Sequence, residues 1–310
     1  MGSGPFALED EHAYRRWREA KLARCPRGAE DLIVEVRDPS KLSASEADKL
    51  RSVCRVANMA IYASPLAGIA DKSIPRRLGE QLGLLRLDAN PLSDDDGISS
   101  LRVMPGKSAR GYIPYSNQRL LWHTDGYYNP PQQRIRAFVL HCVQSAAEGG
   151  LNSLLDHEIA YILLRDADPD YIRALSAADA MTIPANTEQG IATRPAQTGA
   201  VFSIDAGGGD LQMRYTARTR SIEWRSDEAT RAAVRFLEQV FAGDTPHVFT
   251  HRLMGGQGLI CNNVLHCRTA FIDATEDRLT RLIYRARYYD RVAGTSRVAE
   301  RSAHSGLQEA

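Results

Sequence analysis

The chain has 310 residues, of which 43% are hydrophobic and 25% are charged, an ordinary composition for a globular protein. Lys and Arg together number 39 and Asp and Glu 38, so the net charge of +1 offers no general attraction to nucleic acid or to an anionic membrane. No window holds the roughly 18 uncharged apolar residues that a membrane-spanning helix needs. Five cysteines without a C-x-x-C motif argue against a disulfide framework and a Cys-based zinc site, and predict a reducing cytoplasm as the compartment.

The N-terminal third is predicted to be helical. Ser43 and Glu46 form a capping box, and apolar residues follow it at helical spacing as far as Ile61. A second short helix is predicted at 75–82. Residues 1–97 are therefore expected to form a helical lead-in that packs on the outside of the core.

From residue 98 the pattern changes to short β-like runs broken by Gly, Pro and Asn. These runs cover 98–103, 110–115, 119–124, 135–143, 151–155, 180–184, 199–204, 211–216, 246–252, 257–266 and 281–289. Helices are predicted at 157–175 and after Asp227, where Gly243 ends the second one. The pattern predicts a mainly β chain with flanking helices, an α+β fold with a closed or sandwiched antiparallel core over 98–292. The small, polar tail at 293–310 is expected to be disordered, and the whole chain to form one domain.

The strongest local signal is the motif His123-Thr124-Asp125. In an extended segment, residues i and i+2 point to the same side, so this imidazole and carboxylate could bind one metal ion. Two imidazoles and one carboxylate on one face leave three coordination positions open, an arrangement typical of non-haem Fe(II). By itself the pair is a weak signal, because H-x-D recurs by chance and is more often a hydrogen-bonded structural pair.

A third ligand has to come from elsewhere in the chain. The candidates are His141, His157, His247, His251, His266 and His304. His266 ends an apolar run just before a polar turn, and the end of a strand that faces a cavity is a natural position for a ligand. His141 and Cys142 lie within an apolar strand and are expected to be a buried pair with satisfied hydrogen bonds.

Arginines follow His266 in a second β-like run. Arg281 comes fifteen residues later, and Arg285 follows it. A strand that returns antiparallel beside the His266 strand could bring such an arginine into the same cavity, where its planar fork would bind a carboxylate. Arg281, Arg285 and Arg287 share one face of the strand, and the spacing leaves open whether that face is turned inward or solvated.

Four separated motifs resemble those of the TauD/TfdA family of Fe(II)- and 2-oxoglutarate-dependent dioxygenases. The motifs are His123-Thr124-Asp125, Glu148-Gly149-Gly150-Leu151-Asn152, the run from Asn263 to Phe271, and Arg281. They occur in the family's order over roughly residues 95–290. Within the family, the stretch 122–175 is most similar to γ-butyrobetaine and trimethyllysine hydroxylases.

The resemblance implies a double-stranded β-helix (jelly-roll) core that works with Fe(II), 2-oxoglutarate and O2. It also implies the site residues: His123, Asp125 and His266 as iron ligands, Arg281 as the partner of the distal 2-oxoglutarate carboxylate, Asn152 as a further cosubstrate contact, and Arg285 as a second arginine near the cosubstrate or the substrate. The implied reaction hydroxylates, or otherwise oxidises, an unactivated C–H bond of a small polar metabolite and releases succinate and CO2. A carboxylate at position 125 favours hydroxylation over halogenation, which leaves that ligand position empty for chloride.

Several side chains near these motifs are candidates for binding the substrate. They are Tyr112, Tyr115, Asn117, Tyr127, Tyr128 and Arg214. The tyrosines could form an aromatic wall that recognises a quaternary ammonium by cation–π contact, or they could simply pack beside a cavity. Asn117 could lie over the substrate or belong to a turn. Arg214, together with Arg218, Arg220 and Arg225, could meet an anionic substrate, or these arginines could form a solvated or subunit-contact face.

A second function of a different class is a non-catalytic or differently metallated jelly-roll binding protein. The complete set of H-x-D, distal histidine and Arg281 argues against it. The expected partners are a small-molecule substrate and a second copy of the chain in a homodimer, with neither nucleic acid nor a membrane.

Overall fold

The computed structural model describes residues 4–88, 96–104, 106, 112–188, 191–219, 222–243, 245–274 and 280–297. The helices in these ranges are α1 (Glu11–Ala23), α2 (Ala44–Ala57), α3 (Ser73–Gln81), α4 (His157–Ala167), α5 (Pro169–Leu175) and α6 (Glu228–Ala242). Short 3-10 helices cover Ala29–Leu32, Ile113–Tyr115 and Pro131–Gln133. Over the part of the chain that is described, no helix has both the length and the apolar character to cross a membrane.

Short strands make up most of the remaining regular structure. They are β1 (Ile33–Glu35), β2 (Met59–Ala63), β3 (Ser99–Leu101), β4 (Leu120–His123), β5 (Ala137–Gln144), β6 (Glu148–Gly149), β7 (Asn152–Leu155), β8 (Met181–Ile183), β9 (Asn186–Glu188), β10 (Ile191–Arg194), β11 (Gln197–Gly199), β12 (Phe202–Ile204), β13 (Leu211–Met213), β14 (Glu223–Trp224), β15 (Val248–His251), β16 (Gln257–Cys261), β17 (Leu265–Arg268), β18 (Phe271–Ile272) and β19 (Leu282–Tyr288). This strand-rich chain with flanking helices confirms the predicted α+β class.

Two sheets build the core. One has six strands in the order β1-β2-β16-β5-β19-β3, and the other has four in the order β15-β7-β17-β4. A cluster of buried side chains, called the central cluster here, fills the space between them with residues from both sheets, including Phe138 and Ile283 from the larger and Leu154 and Phe249 from the smaller. The sheets therefore face each other across one apolar layer, as in a sandwich or jelly roll.

Helices cover the outer faces of both sheets. Alternation along β5 explains how one strand serves two layers: Phe138 faces the central cluster, while Val139 faces a second cluster that includes Leu50 of α2 and Leu78 of α3. A third cluster packs α4, α5 and α6 against the outer face of the smaller sheet.

The N-terminal region contributes strands as well as helices. The capping box at Ser43 is present and begins α2 as predicted. The helix stops at Ala57, and Asn58 then takes a left-handed conformation with φ of 57°. Ile61, expected to continue the helix, lies in β2 and pairs with Leu259 of β16. The N-terminal region thus contributes β1 and β2 to the larger sheet. The region boundaries at 1–97, 98–292 and 293–310 stay predictions.

Two other predicted elements are divided in the structure. The run at 257–266 is split by a turn in which Asn263 has φ of 52°, so β17 begins only at Leu265. The helix at 157–175 is broken at Asp168, which caps the helix that begins at Pro169. Residues 110 and 111 of one predicted strand, and 298–310 of the predicted tail, lie outside the described residues.

A buried group of charges, called the lysine cluster here, fixes α1 to the core. The Lys21 Nζ lies 2.6 Å from Asp156 Oδ2 and 2.5 Å from Glu158 Oε2, and it donates to the Val56 carbonyl at 2.7 Å. Burial alone would lower the pKa of Lys21, but the two carboxylates outweigh it and raise that pKa. In the lysine cluster the ammonium group of Lys21 therefore lies between two carboxylates and has ion-pair partners from the chain itself.

Candidate metal centre

The strands that carry His123 and His266 are hydrogen-bonded neighbours in the four-stranded sheet. β4 and β17 run antiparallel, and their register sets His266 directly opposite His123. Opposite residues of such a pair project from the same face, and the two imidazole centroids lie 4.2 Å apart. Phe138 of the facing sheet packs against the His266 ring at a centroid distance of 4.8 Å.

Backbone carbonyls hold both imidazoles in the same tautomer. His123 Nδ1 lies 2.8 Å from the Leu121 carbonyl oxygen, and His266 Nδ1 lies 3.0 Å from the Val264 carbonyl oxygen. A carbonyl can only accept a hydrogen bond, so each Nδ1 carries the proton and each Nε2 keeps a lone pair. Burial lowers the pKa of both histidines, and for His123 burial and the neighbouring His266 lower it to about 3. Both rings are therefore neutral, the form that ligates metal ions.

Asp125 follows β4 by two residues and is held by two side chains. Asn263 accepts a hydrogen bond from the Asp125 backbone N–H at 2.8 Å and donates one to its carbonyl oxygen at 3.0 Å. Arg285 Nη1 donates to Asp125 Oδ1 at 3.1 Å. Burial opposes ionisation, but the guanidinium groups of Arg285 and Arg287 hold the pKa of Asp125 below its ordinary range. The carboxylate is therefore ionised at neutral pH.

His123, Asp125 and His266, called the metal cluster here, each offer one ligand atom to the same point. These atoms all lie within 4.8 Å of one another, and His123 Nε2 is 3.8 Å from Asp125 Oδ1. Within the described ranges neither Nε2 has a hydrogen-bond partner. Two imidazole nitrogens and one carboxylate suit a divalent first-row metal, so this donor set fits Fe(II).

The other candidate histidines have partners elsewhere. These partners are the Tyr62 hydroxyl for His141, the Leu211 carbonyl for His157, Cys25 for His247 and Gln257 for His251. His141 and Cys142 are buried, as expected, but His141 Nε2 has no hydrogen-bond partner among the described residues. His304 lies outside them.

The face shared by Arg281, Arg285 and Arg287 is turned inward. β19 lies between β5 and β3, and Ile283 on the same face packs in the central cluster. Arg281 is 5% exposed and Arg287 is 3% exposed. Arg287 pairs with the buried Asp88, whereas Arg285 reaches the metal cluster through Asp125.

Arg281 lines a small cavity together with Asn152 and Arg252. Gly149 and Gly150 form part of its wall, and both have a positive φ, of 69° and 68°. A Cβ at Gly149 would lie 2.2 Å from a backbone carbonyl oxygen, so this tight turn requires glycine. The predicted cosubstrate contacts Arg281 and Asn152 therefore meet at one cavity.

The guanidinium of Arg281 has no carboxylate partner among the described residues. It packs over the Phe271 ring at 4.9 Å, and Arg268 packs over the same ring at 4.7 Å. The nearby Asp273 accepts from the Arg281 backbone N–H instead, at 2.8 Å. Burial lowers the pKa of Arg281 to about 10, which still leaves it charged at neutral pH. A buried, unpaired guanidinium is suited to bind a carboxylate.

Comparison with known families decides the assignment. Residues 22–286, well over half of the chain, match the family described as Taurine catabolism dioxygenase TauD, TfdA family. The chain belongs to this family. Membership of the TauD/TfdA family confirms the predicted enzyme class, a dioxygenase that uses Fe(II) and 2-oxoglutarate.

Solved structures of related fold include three non-haem iron oxygenases, each 16% identical to this chain. Asparagine oxygenase, in complex with Fe(II), 2S,3S-3-hydroxyasparagine and succinate, has a TM-score of 0.51 over 81% of this chain and 85% of its own. OrfP, in complex with Fe, succinate and (3S)-hydroxy-L-Arg, has a TM-score of 0.59 over 81% and 82%. PvcB from Pseudomonas aeruginosa has a TM-score of 0.54 over 83% and 85%. These likenesses confirm the jelly-roll core of the TauD/TfdA chain.

The tyrosines predicted to bind substrate have different surroundings. Tyr127 lies with its ring 6.4 Å from that of His123, and Tyr128 makes an edge contact with Tyr127 at 5.2 Å. Tyr115 is 1% exposed within the central cluster, and Tyr112 packs against that cluster. Tyr127 and Tyr128 thus lie near His123, and a wall made of all four rings stays a prediction.

The remaining substrate candidates also have different surroundings. Asn117 is exposed, and its carbonyl oxygen accepts from the Phe271 N–H at 3.1 Å. Arg214 is buried and lines a cavity beside Asp125. Arg225 forms ion pairs with two aspartates, and Arg220 lies outside the described residues.

Sequence reasoning missed two residues that shape the TauD/TfdA site. Asn263 clamps the backbone of Asp125, although the only sequence signal was an Asn-Asn turn before the distal histidine strand. Arg252 lines the Arg281 cavity and donates to the Ala147 carbonyl at 2.9 Å. It follows a strand in a segment without a recognisable motif, so no local pattern marked it.

Proposed function

We propose that this TauD/TfdA protein hydroxylates a small polar metabolite at an unactivated C–H bond. Fe(II) would be held by His123, Asp125 and His266, and the distal carboxylate of 2-oxoglutarate by Arg281, with Asn152 at the same cavity. Bound there, Fe(II) would supply oxidation of the C–H bond by O2 coupled to conversion of 2-oxoglutarate to succinate and CO2.

The convergence of the metal cluster carries the proposal. Two neutral imidazoles present Nε2 lone pairs beside an ionised carboxylate, and no described side chain satisfies these lone pairs. Burying such groups without partners is unfavourable unless a ligand completes them. A metal ion supplies the missing partner for both imidazole nitrogens and binds the carboxylate, whose Oδ1 already accepts from Arg285.

The surrounding residues have defined tasks in this proposal. Asn263 fixes the backbone of Asp125 and so orients its carboxylate, while the backbone carbonyls of Leu121 and Val264 fix the two rings. Arg281 would orient the cosubstrate through a charge-assisted hydrogen bond. Arg285 already bonds Asp125, so we infer a role in restraining that ligand beside the predicted cosubstrate contact.

The substrate class is the less determined part of the proposal. Asparagine oxygenase and OrfP were crystallised with hydroxylated amino acids, which supports a substrate of similar size. Kinship with γ-butyrobetaine and trimethyllysine hydroxylases stays a prediction. An aromatic site for a quaternary ammonium has weak support, because the Arg194 guanidinium lies over the Tyr128 ring at 5.8 Å. The homodimer and the cytoplasmic location also stay predictions, the latter supported by five free cysteines.

Succinate formation tests the function directly. Purified protein with Fe(II), ascorbate and 2-oxoglutarate should release succinate slowly alone, and faster with one member of a panel of amino acids, betaines and sulfonates. The product should gain one oxygen atom, derived from labelled O2. No succinate under any of these conditions would favour the alternative, a jelly-roll binding protein without turnover.

A further inference from the structure

A second pocket adjoins the metal cluster at Asp125, and Arg281 is not among its lining residues. It is lined by Asp125, Tyr127, Arg134, Arg214 and Gly199, together with small and polar neighbours. The charged residues in this lining are one aspartate and two arginines, and the aspartate is already paired with Arg285. The pocket therefore carries an excess of positive charge.

Arg214 is on the same face of the chain as the metal ligands. Thr216 forms an antiparallel bridge with His123, so their side chains share a face, and Arg214 shares it by the two-residue period of an extended segment. Its guanidinium donates to backbone carbonyls, among them Gln197 at 3.2 Å and Gly199 at 3.1 Å. Arg214 Nε is buried and has no partner among the described residues.

Arg134 is the second cation of this pocket. Its Nη1 donates to the neutral groups Ser203 Oγ and Gln212 Oε1. Its near neighbour in sequence, Arg136, lies 2.8 Å from the Asp205 carboxylate. Within the described ranges neither Arg134 nor Arg214 forms an ion pair, so the fold neutralises Arg136 but leaves the two lining arginines for another anion.

The pocket itself is small, with a volume of about 30 Å³, and Gly199 forms part of its wall. Gly199 lies against Arg214, and a Cβ there would contact the guanidinium at 3.8 Å and cover part of it. Thr198, Ala200 and Arg134 also line a larger open cleft of about 890 Å³. The cleft and the pocket beside Asp125 therefore have Arg134 in common in their linings.

We propose that Arg134 and Arg214 bind an oxyanion of the substrate, which is therefore a carboxylate, sulfonate or phosphate monoester. This inference rests on the proposed function and adds the charge of the molecule it acts on. The distal 2-oxoglutarate carboxylate has its own arginine in the separate cavity at Arg281. The enzyme thus uses two anion sites, one for the cosubstrate and one for the substrate.

Calorimetry under anaerobic conditions tests the subsite without turnover. Protein loaded with Fe(II) and saturating 2-oxoglutarate is titrated with propionate, ethanesulfonate and ethyl phosphate, and with propionamide as the neutral control. We expect saturable 1:1 binding of at least one anion, none of the amide, and at least tenfold weaker binding in Arg134→Gln. The anion that binds most tightly identifies the oxyanion class.

Matched variants separate a binding role from a structural one. Arg136→Gln removes a neighbouring arginine that has its own aspartate, and it should bind the anion like the wild type. Arg214→Lys keeps a positive charge, whereas a larger change would disturb the contacts of Arg214 with the Met181, Gln197 and Gly199 carbonyls. Arg214→Lys should weaken anion binding less than Arg134→Gln does. Equal affinity in wild type and Arg134→Gln, or no saturable anion binding, would overturn the proposal.

A second arm uses turnover and separates this inference from the proposed function. Succinate formed without added substrate tests the function alone. If it forms, paired carboxylates and carboxamides are compared as stimulants of turnover, and only the charged members should stimulate. Arg134→Gln should raise KM for the charged member by 10- to 100-fold and remove the preference for it over the amide. Stimulation by amides as strong as by acids would overturn the subsite while leaving the dioxygenase assignment intact.

Discussion

Two of the buried groups of ionisable side chains differ in whether the chain itself completes them. In the lysine cluster, Lys21 lies between Asp156 and Glu158, both within 2.6 Å of its Nζ. In the metal cluster, two neutral imidazoles keep Nε2 lone pairs that no described residue satisfies. The first group is closed by the fold and the second is left open.

This difference separates a stabilising cluster from a binding site. Burying an ionised or polar group without a partner is unfavourable, so a chain that keeps such a group open needs a ligand to complete it. The segment of β19 and the residue before it repeat the contrast, because Arg287 pairs with Asp88 while Arg281 lines a cavity. Closed groups should govern the free energy of unfolding, and open groups should govern binding of metal and cosubstrate.

The largest expected effect is on metal binding. His266→Ala removes one of three ligand atoms, and we expect it to abolish stoichiometric Fe(II) binding and succinate formation, with only a modest change in the free energy of unfolding. Metal analysis after gel filtration measures it. His251→Ala is the control, because His251 bonds Gln257 outside the metal cluster. Full retention of iron in His266→Ala would remove this residue from the ligand set.

Lys21→Met should have the opposite profile. It leaves two buried carboxylates without their cation, so the free energy of unfolding should fall by about 3–5 kcal/mol. Urea denaturation measures the loss, and Fe(II) should still bind to the folded fraction. Arg18→Met on the same helix removes only a half-exposed ion pair with Asp166 and should cost less than about 1 kcal/mol. Equal losses of free energy of unfolding in Lys21→Met and Arg18→Met would contradict a stabilising role for the lysine cluster.

Arg281→Gln should act on the cosubstrate. Loss of a charge-assisted hydrogen bond of about 1.5–3 kcal/mol raises the 2-oxoglutarate concentration for half-maximal turnover by roughly 10- to 150-fold. Arg281→Lys keeps the charge without the planar guanidinium, so its 2-oxoglutarate concentration for half-maximal turnover should lie between those of Arg281→Gln and the wild type. An unchanged cosubstrate requirement in Arg281→Gln would move this role to another arginine.

The smallest expected effect is a pH dependence of stability. Burial opposes ionisation of Glu158, but Lys21 outweighs it and lowers the pKa of Glu158 from 4.5 to about 2. Its contribution is therefore present above pH 4.5 and is lost as the pH falls towards 2, with a loss of under about 1 kcal/mol between pH 6 and 4. In Lys21→Met the carboxylate of Glu158 loses its main charge partner, so its pKa should rise and the stability lost on acidification should become smaller. Urea denaturation of the wild type and Lys21→Met between pH 6 and 4 measures how the free energy of unfolding of each depends on pH. Parallel pH profiles in the two proteins would refute the account.

The sequence predicts most of the α+β fold because many of its signals are local. The capping box at Ser43 and the cap at Asp227 begin helices in the structure. β2 was missed because the apolar spacing of α2 runs on to Ile61, and only the left-handed Asn58 interrupts it. Residues 59–63 form a strand because they pair with β16, which lies 194 or more residues later in the chain. A local sequence pattern carries no information about so distant a partner.

The site could be predicted only as far as motifs reach. The two-residue spacing of His123 and Asp125 marks them as a pair, and the strand register then brings His266 opposite them. The direction of the Arg281 face remained open, because parity fixes which residues share a face but not which way it points. Arg134 gave no signal, and Asn263 was marked only by an Asn-Asn turn and by the motif it begins, since the roles of both residues depend on contacts with distant segments.

Anaerobic titration of Fe(II) into the protein with saturating 2-oxoglutarate tests the central claim most directly. The visible absorption band of a chelated Fe(II)–2-oxoglutarate complex should rise to an end point at one iron per chain, and His266→Ala and Asp125→Ala should each abolish it. A chain that gives no band, or a band that survives unchanged in both variants, would contradict a metal site built from His123, Asp125 and His266.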